Sequence, residues 1–491
     1  MIKNFLENFI GQGVADGKLE EALAAFAVLG LIWAAVIFFG YFWLKIKLWR
    51  RWDFWLVAGT LLVLILVKIF FLRYLDDYFF DRIPIYALFS PKINFLWAIP
   101  LILGLFFLWL GFYKHLLQLS QKKFLIVLVL FFIVFSISVA LTRDGVYGLY
   151  ETFTHSKLDY RGDARKIAGA GDFLKDYDKL APTLSQHGQV HPPGYAMLHY
   201  LFIKIFGDNL LLTALSIIFL GSLAIIQVYF LARKFDEENA RLATMLFIFA
   251  PAYVIFSATG VDVVFFLIIS LLFLSIFYSK NYWGWARSGA ILAIAMFSHF
   301  IAPLFGVIAA IYSYLKNRNL KKTAIEMLLL GGVPILIFLL IKITVGYDII
   351  NNFVAARGLM SMQFADLGIK TIYSSPGYYV LYQLMSLVPF LIYLGWPFIL
   401  NYVKAVRGET RAIFKDRSPQ KILIVLGWAF LPVLLFAGVF MAETERLWIF
   451  LIPFLVLPAA KKIASDADQS AVFMLLFLQI ITIQIVFFTY W

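Results

Sequence analysis

The run FLIVLVLFFIVFSISVALT at residues 124–142 gives way at once to RDGVYGLYETFTHSKLDYRGDARKIAGAGDFLKDYDKLAPTLSQHGQVHPPGY at 143–195. The first piece carries no charge and is long enough to cross the roughly 30 Å of a bilayer core as a helix. The second is a polar stretch in a chain that is otherwise almost continuously apolar. Ionisable groups beside hydrocarbon are costly, so a cluster of them there marks a functional site. Together the two pieces describe a membrane span feeding a loop that holds the chemistry.

The same contrast extends outward. Of 491 residues, 63% are hydrophobic and 14% charged, against about one-quarter charged in soluble domains. Apolar runs recur at 22–44, 54–73, 95–113, 124–142, 209–232, 240–258, 262–279, 286–299, 300–315, 323–344, 376–402, 421–441, 447–460 and 470–491. The expected fold is therefore all-α and polytopic, with about 13–14 transmembrane helices. The short pairs 286–315 and 421–460 read equally well as re-entrant hairpins. One membrane domain is expected. It comprises N-terminal hairpins at 1–142, a loop with short interfacial helices at 143–208, core helices at 209–344, a second loop at 345–375 and C-terminal helices at 376–491. No basic segment precedes the first apolar core, so the first span is expected to serve as the insertion signal.

The net charge of +13 does not signal nucleic-acid binding, because the basic residues sit in short clusters between spans. These are Lys45–Arg51, Lys122–Lys123, Arg233–Lys234, Lys316–Lys322, Lys404–Lys421 and Lys461–Lys462. Alternating sides from the first cluster puts all of them in the cytoplasm, as the positive-inside rule requires. Loops 74–94, 142–208 and 345–375 and the segment Glu443–Arg446 then face outward. An integral protein of the plasma membrane is expected, with its site on the extracytoplasmic face. Within the first long loop, Asp163–Tyr177 reads as a short helix, and 195–207 as a helix lying in the interface.

Four outward groups could do chemistry: Asp144, Glu151, Asp159, Arg161, Asp163 and Arg165; His187 and His191; Asp262; and Glu443, Glu445 and Arg446. Singly, each has an ordinary reading. Asp163 suits a solvated helix, His191 a Pro-Pro turn, Asp262 a helix cap, and Glu443 with Arg446 a structural ion pair. Jointly they meet at one membrane face. A partly buried carboxylate there suits a general base for an acceptor hydroxyl. Arginine and histidine beside it suit a phosphate leaving group. No spacing forms a metal motif, so no cofactor is assigned and a divalent metal stays open. Cysteine is absent.

From Asp163 to about Phe273 the chain resembles the GT-C glycosyltransferases that use polyprenyl-phosphate sugars. The protein mannosyltransferase and aminoarabinose transferase group, with relatives acting on lipopolysaccharide, is the nearest in flavour. The resemblance lies in Gly162-Asp163-Ala164-Arg165, in His191-Pro192-Pro193-Gly194 leading to Phe206-Gly207-Asp208-Asn209, in Leu231-Ala232-Arg233-Lys234-Phe235, and in the span pair from Ala243 through Pro251 to Asp262. It implies inverting transfer of a hexosyl or pentosyl group from a polyprenyl-phosphate donor to an extracytoplasmic lipid, glycan or protein. It also implies Asp163 as base or as a carboxylate orienting the acceptor. Ala164 departs from the family's usual acidic or polar neighbour, so Asp144 and Asp159 remain rival bases. His191, Arg446 and Arg165 are expected near the donor phosphate, with Asp262, Glu443 and Glu445 positioning substrate. Loop 345–375, with Arg357 and Gln363, is expected to cover the donor.

Two other readings stand beside it. A flippase of a lipid-linked saccharide would need charges along a path through the bilayer, and only Lys68, Lys342 and His299 offer themselves. An inactive scaffold of the same fold is the third.

Overall fold

The computed structural model describes residues 16–74, 84–155, 158–366, 376–409, 419–436, 443–466 and 468–489. Four long helices come first: α1 (Asp16–Phe42), α2 (Trp52–Tyr74), α3 (Ala98–Leu116) and α4 (Gln121–Asp144). The expected loop follows as a string of short helices: α5 (Tyr160–Ala164), α6 (Ala170–Lys175), α7 (Tyr177–Leu180), α8 (Gln186–Val190) and α9 (Gly194–Phe206). The core is built by α10 (Leu210–Phe235), α11 (Ala240–Phe247), α12 (Pro251–Thr259), α13 (Asp262–Tyr278), α14 (Tyr282–Ser298), α15 (Phe305–Asn317) and α16 (Leu320–Val345). The chain then continues through α17 (Ile349–Asp366), α18 (Pro376–Leu394), α19 (Trp396–Glu409), α20 (Pro419–Phe436), α21 (Thr444–Leu447), α22 (Ile452–Ala464) and α23 (Gln469–Val486). A two-residue antiparallel pair joins Leu88–Phe89 to Phe487–Phe488.

Local chemistry starts and stops these helices. Asn209, Asn281 and Asn319 each place a side-chain oxygen 3.0 Å from a backbone N–H three residues on, capping α10, α14 and α16, as asparagine does well. Pro251 opens α12 and lacks the N–H that would continue α11, and the two helices meet at 54°. A sharper bend of 98° separates α18 from α19 at Gly395, whose φ is +107°. Buried Gln479 of α23 spans that break, donating to the Ile392 carbonyl and accepting from Trp396 N–H. A Cβ at position 395 would lie 2.7 Å from the Leu476 side chain. Gly395→Ala is therefore expected to cost roughly 1–3 kcal/mol, read as a lower melting temperature in detergent.

Burial ranks the helices. The apolar window of α23 is 89% buried, and this helix is the pillar against which α1, α2, α4, α12 and α19 pack. By contrast α16 is 22% buried and turns Leu328, Ile335, Leu336, Leu340 and Ile343 outward. That is the face of a helix meeting lipid rather than protein. The molecule is an integral membrane protein.

Among the described residues, seven helices are long and apolar enough to span, or nine if each bent pair counts once. The expected 13–14 also takes in shorter apolar runs. Of these, α14 has 17 residues and α15 and α22 have 13 each. Two loop expectations also change. Asp163 lies in α5, and the single helix expected over Asp163–Tyr177 is broken between Ala164 and Ala170, where Gly169 is extended. The 345–375 segment contains helix α17, packed on α7 and α8, with Arg357 exposed. The Gln363 side chain lies outside the described residues. The interfacial helix expected at 195–207 is α9.

Candidate active-site cleft

A cleft of about 550 Å³ opens where the α5–α9 loop meets the helix bundle. Asp159, Tyr160, His187 and His191 line it from the loop. Gly260, Val261 and Asp262 line it from the α12–α13 turn, His299 from the end of α14, and Arg446 and Leu447 from α21. With His155, four of the chain's six histidines face this space.

Asp159 caps α5, its Oδ2 accepting the Arg161 N–H at 3.0 Å. The residue is 5% exposed. Burial pushes its carboxyl up to about 7, with amide bonds from Arg161 and Tyr160 only partly opposing.

Arg446 also lines the cleft and is nearly buried. Its Nε lies 3.1 Å from Asp262 Oδ2, and its Nη2 reaches Glu443 Oε2. Burial works against the charge, but Glu443 and Asp262 outweigh it and hold the guanidinium above the ordinary arginine value. Glu443 achieves this with φ +60°, a left-handed conformation unfavourable for a residue with a Cβ. Such local strain is often retained where a site needs it.

The imidazoles are grouped. The His191 and His299 ring centroids are 4.5 Å apart, and those of His187 and His191 are 6.4 Å apart. Burial first, and Arg446 as well, push His187 down to about 3; His191 is lowered to about 3 by burial, by His187 and by Arg446. Both rings are therefore neutral near pH 7. A neutral imidazole has one N–H to donate and one lone pair to accept. His191 Nδ1 is buried with no hydrogen-bond partner among the described residues, which leaves it able to meet a bound group.

Asp163 is placed differently. It is fully buried, and Oδ1 accepts Ser185 N–H at 2.7 Å while Oδ2 accepts Ser185 Oγ–H at 2.5 Å. Ser185 Oγ in turn accepts Gly188 N–H at 3.1 Å, capping α8, the helix that carries His187. A Cβ on Gly188 would lie 2.3 Å from Asp163 Oδ2, so this packing requires glycine there. Both carboxylate oxygens of Asp163 are thus engaged in setting α8. Asp163→Asn keeps the shape but disrupts the Ser185 pairing, and is expected to cost about 1–3 kcal/mol of stability. Any activity of the cleft should fall only with the folded fraction, checked by thermal melting alongside turnover.

The remaining candidates surround the cleft. Asp144 pairs with Lys92 at 2.5 Å and Arg143 at 3.4 Å. Arg165, with Arg161, binds Asp208 and ties α5 to the end of α9. Glu445 accepts the Tyr86 N–H at 2.8 Å, and burial pushes it up to about 7 against those amide bonds. Sequence reasoning missed His299 and Tyr160 as cleft residues. His299 breaks two short apolar runs, which was its only local signal. Among the described residues no group of three or more His, Asp or Glu converges to hold a metal ion.

Residues 190–343 match the family described as dolichyl-phosphate-mannose-protein mannosyltransferase. A solved structure, that of ArnT from Cupriavidus metallidurans in the apo state, aligns over 70% of this chain and 60% of its own length. The identity is 14% and the TM-score 0.43. No curated protein matches. The matched segment, 190–343, takes in His191, Asp262 and His299 of the cleft.

Proposed function

We propose that the cleft transfers a sugar, with inversion, from a polyprenyl-phosphate donor to an acceptor hydroxyl on the extracytoplasmic side of the membrane. The observation that carries this reading is that one cleft is lined by both Asp159, a carboxyl raised to about 7, and Arg446, a buried guanidinium. Of the three carboxylates considered as base, Asp159 is the one lining the cleft. Its deprotonated form takes the acceptor O–H proton as that oxygen attacks the anomeric carbon. The bond from that carbon to the phosphate oxygen breaks on the opposite face, and the electron pair leaves with the lipid phosphate. Arg446 neutralises the growing charge, and the neutral imidazoles of His191 and His299 donate to phosphate oxygens. Asp262 and Glu443 hold the guanidinium in place before donor arrives.

The cations considered for a translocation path are otherwise committed. Lys68 Nζ donates to the Ile85 carbonyl at 2.6 Å, and Lys342 pairs with Asp348 at 2.6 Å. In proteoliposomes, labelled sugar is expected to pass from a polyprenyl-phosphate donor to an acceptor extract and not from a nucleotide sugar. Equal use of the nucleotide sugar would defeat the proposal.

A further inference from the structure

At the far end of the bundle a second cavity, of about 630 Å³, lies between the ends of α10, α19 and α22 and the start of α20. It does not touch the cleft. From the loop end, α10 runs its 26 residues to Phe235 on the cavity wall, a distance of about 39 Å. None of the residues proposed for sugar transfer contributes to it.

The walls are apolar, formed by Phe235, Ala405, Leu423 and Leu457 among others, and Lys461 and Lys462 stand at the rim on the last turn of α22. The polar lining besides the lysines is Asp236 and Asn239. These two are bonded to each other, with Asn239 N–H at 3.3 Å and Nδ2 at 2.9 Å from the Asp236 carboxylate. A soluble polar metabolite would find few donors and acceptors on such walls. A molecule with an anionic head and a hydrocarbon tail matches both parts.

We propose that this cavity binds one anionic phospholipid from the leaflet at that end. Its phosphodiester lies against Lys461 and Lys462, and the first part of an acyl chain runs along Phe235, Leu423 and Leu457. Basic pockets between membrane helices hold anionic headgroups in this way, through charge attraction added to apolar burial. The lipid would brace α10, α19, α20 and α22 at that end.

Native mass spectrometry of the full chain in mild detergent tests this, with dioleoylphosphatidylglycerol and dioleoylphosphatidylcholine as the probes. Wild type is expected to retain one phosphatidylglycerol and to hold phosphatidylcholine at least about tenfold more weakly. The exposed double variant Lys461→Gln/Lys462→Gln should lose about tenfold in phosphatidylglycerol retention, since each basic group contributes separately. Ala405→Trp, which fills the cavity without changing charge, should lose retention too, while Asp159→Asn should keep it. Equal retention of the two lipids by wild type, or undiminished phosphatidylglycerol on the double lysine variant, would overturn the proposal. Neither result would bear on sugar transfer at the cleft.

Discussion

Asp159→Asn is expected to lower sugar transfer by about 10³-fold while leaving donor binding close to wild type, because general-base catalysis typically contributes 10²–10⁴. The amide keeps the size of the side chain and an oxygen to accept the Arg161 N–H, so α5 remains capped. What it cannot do is take a proton. A pH–rate profile gives the second signature. With the carboxyl at about 7, the fraction of active base falls tenfold per unit below that pH. Wild-type kcat/KM should therefore rise with pH and level off above about 7, and the residual rate of the variant should lack that limb. Stability should move the other way. A carboxyl raised in the folded state binds its proton more tightly there than in the unfolded chain. The stability it contributes is present below the unfolded value and is lost as pH rises through the folded one. Asp159→Asn removes this liability, so its melting temperature relative to wild type should improve between about pH 4 and pH 7 and hold that gain at pH 8. A site residue that costs stability in the native protein is a familiar trade for function.

Arg446→Ala is expected to abolish transfer and to destabilise the protein as well. The guanidinium is the partner of both Asp262 and Glu443. Removing it leaves two carboxylates, in a nearly buried setting, without the charge that justified them. Breaking a buried pair by deleting one side costs about 3–5 kcal/mol, read as a fall in melting temperature. The catalytic loss should exceed about 10³-fold, in line with other electrostatic stabilisers of a developing anion. Arg446→Lys separates the two effects. An ammonium restores charge and much of the stability, yet it cannot face Asp262 and Glu443 while presenting a planar fork to phosphate. Its turnover should stay below about one-tenth of wild type with its melting temperature largely recovered. Full activity in Arg446→Lys would show that the guanidinium's shape is not used.

The class of fold was legible because it rests on length and polarity, and residues 124–142 followed by 143–195 display both within seventy-odd positions. The breaks in the helices were not. The bend at Gly395 depends on Leu476 and Gln479, some eighty residues downstream, and no local pattern reports such a partner. The helix expected over Asp163–Tyr177 overlooked the extended Gly169, which lets α5 and α6 turn apart. The two carboxylates Asp159 and Asp163 look alike in sequence and sit four residues apart. Their difference is tertiary: Ser185 engages both oxygens of Asp163, while Asp159 keeps a face on the cleft. Likewise His299 joins His191 across more than a hundred residues. Arg446, Asp262 and His191, by contrast, were marked by charge or proline chemistry set against hydrocarbon, and the structure brings all three to one cleft.

Single-turnover transfer from a labelled polyprenyl-phosphate sugar, with the anomeric configuration of the product read by NMR, tests the cleft most directly. It should be run on wild type, Asp159→Asn and Asp163→Asn at matched donor occupancy. Wild type and folded Asp163→Asn are expected to form a product of inverted configuration, with Asp159→Asn holding donor but not turning it over. Retained configuration, or undiminished turnover by Asp159→Asn, would contradict the assignment of Asp159 as the base of an inverting transfer.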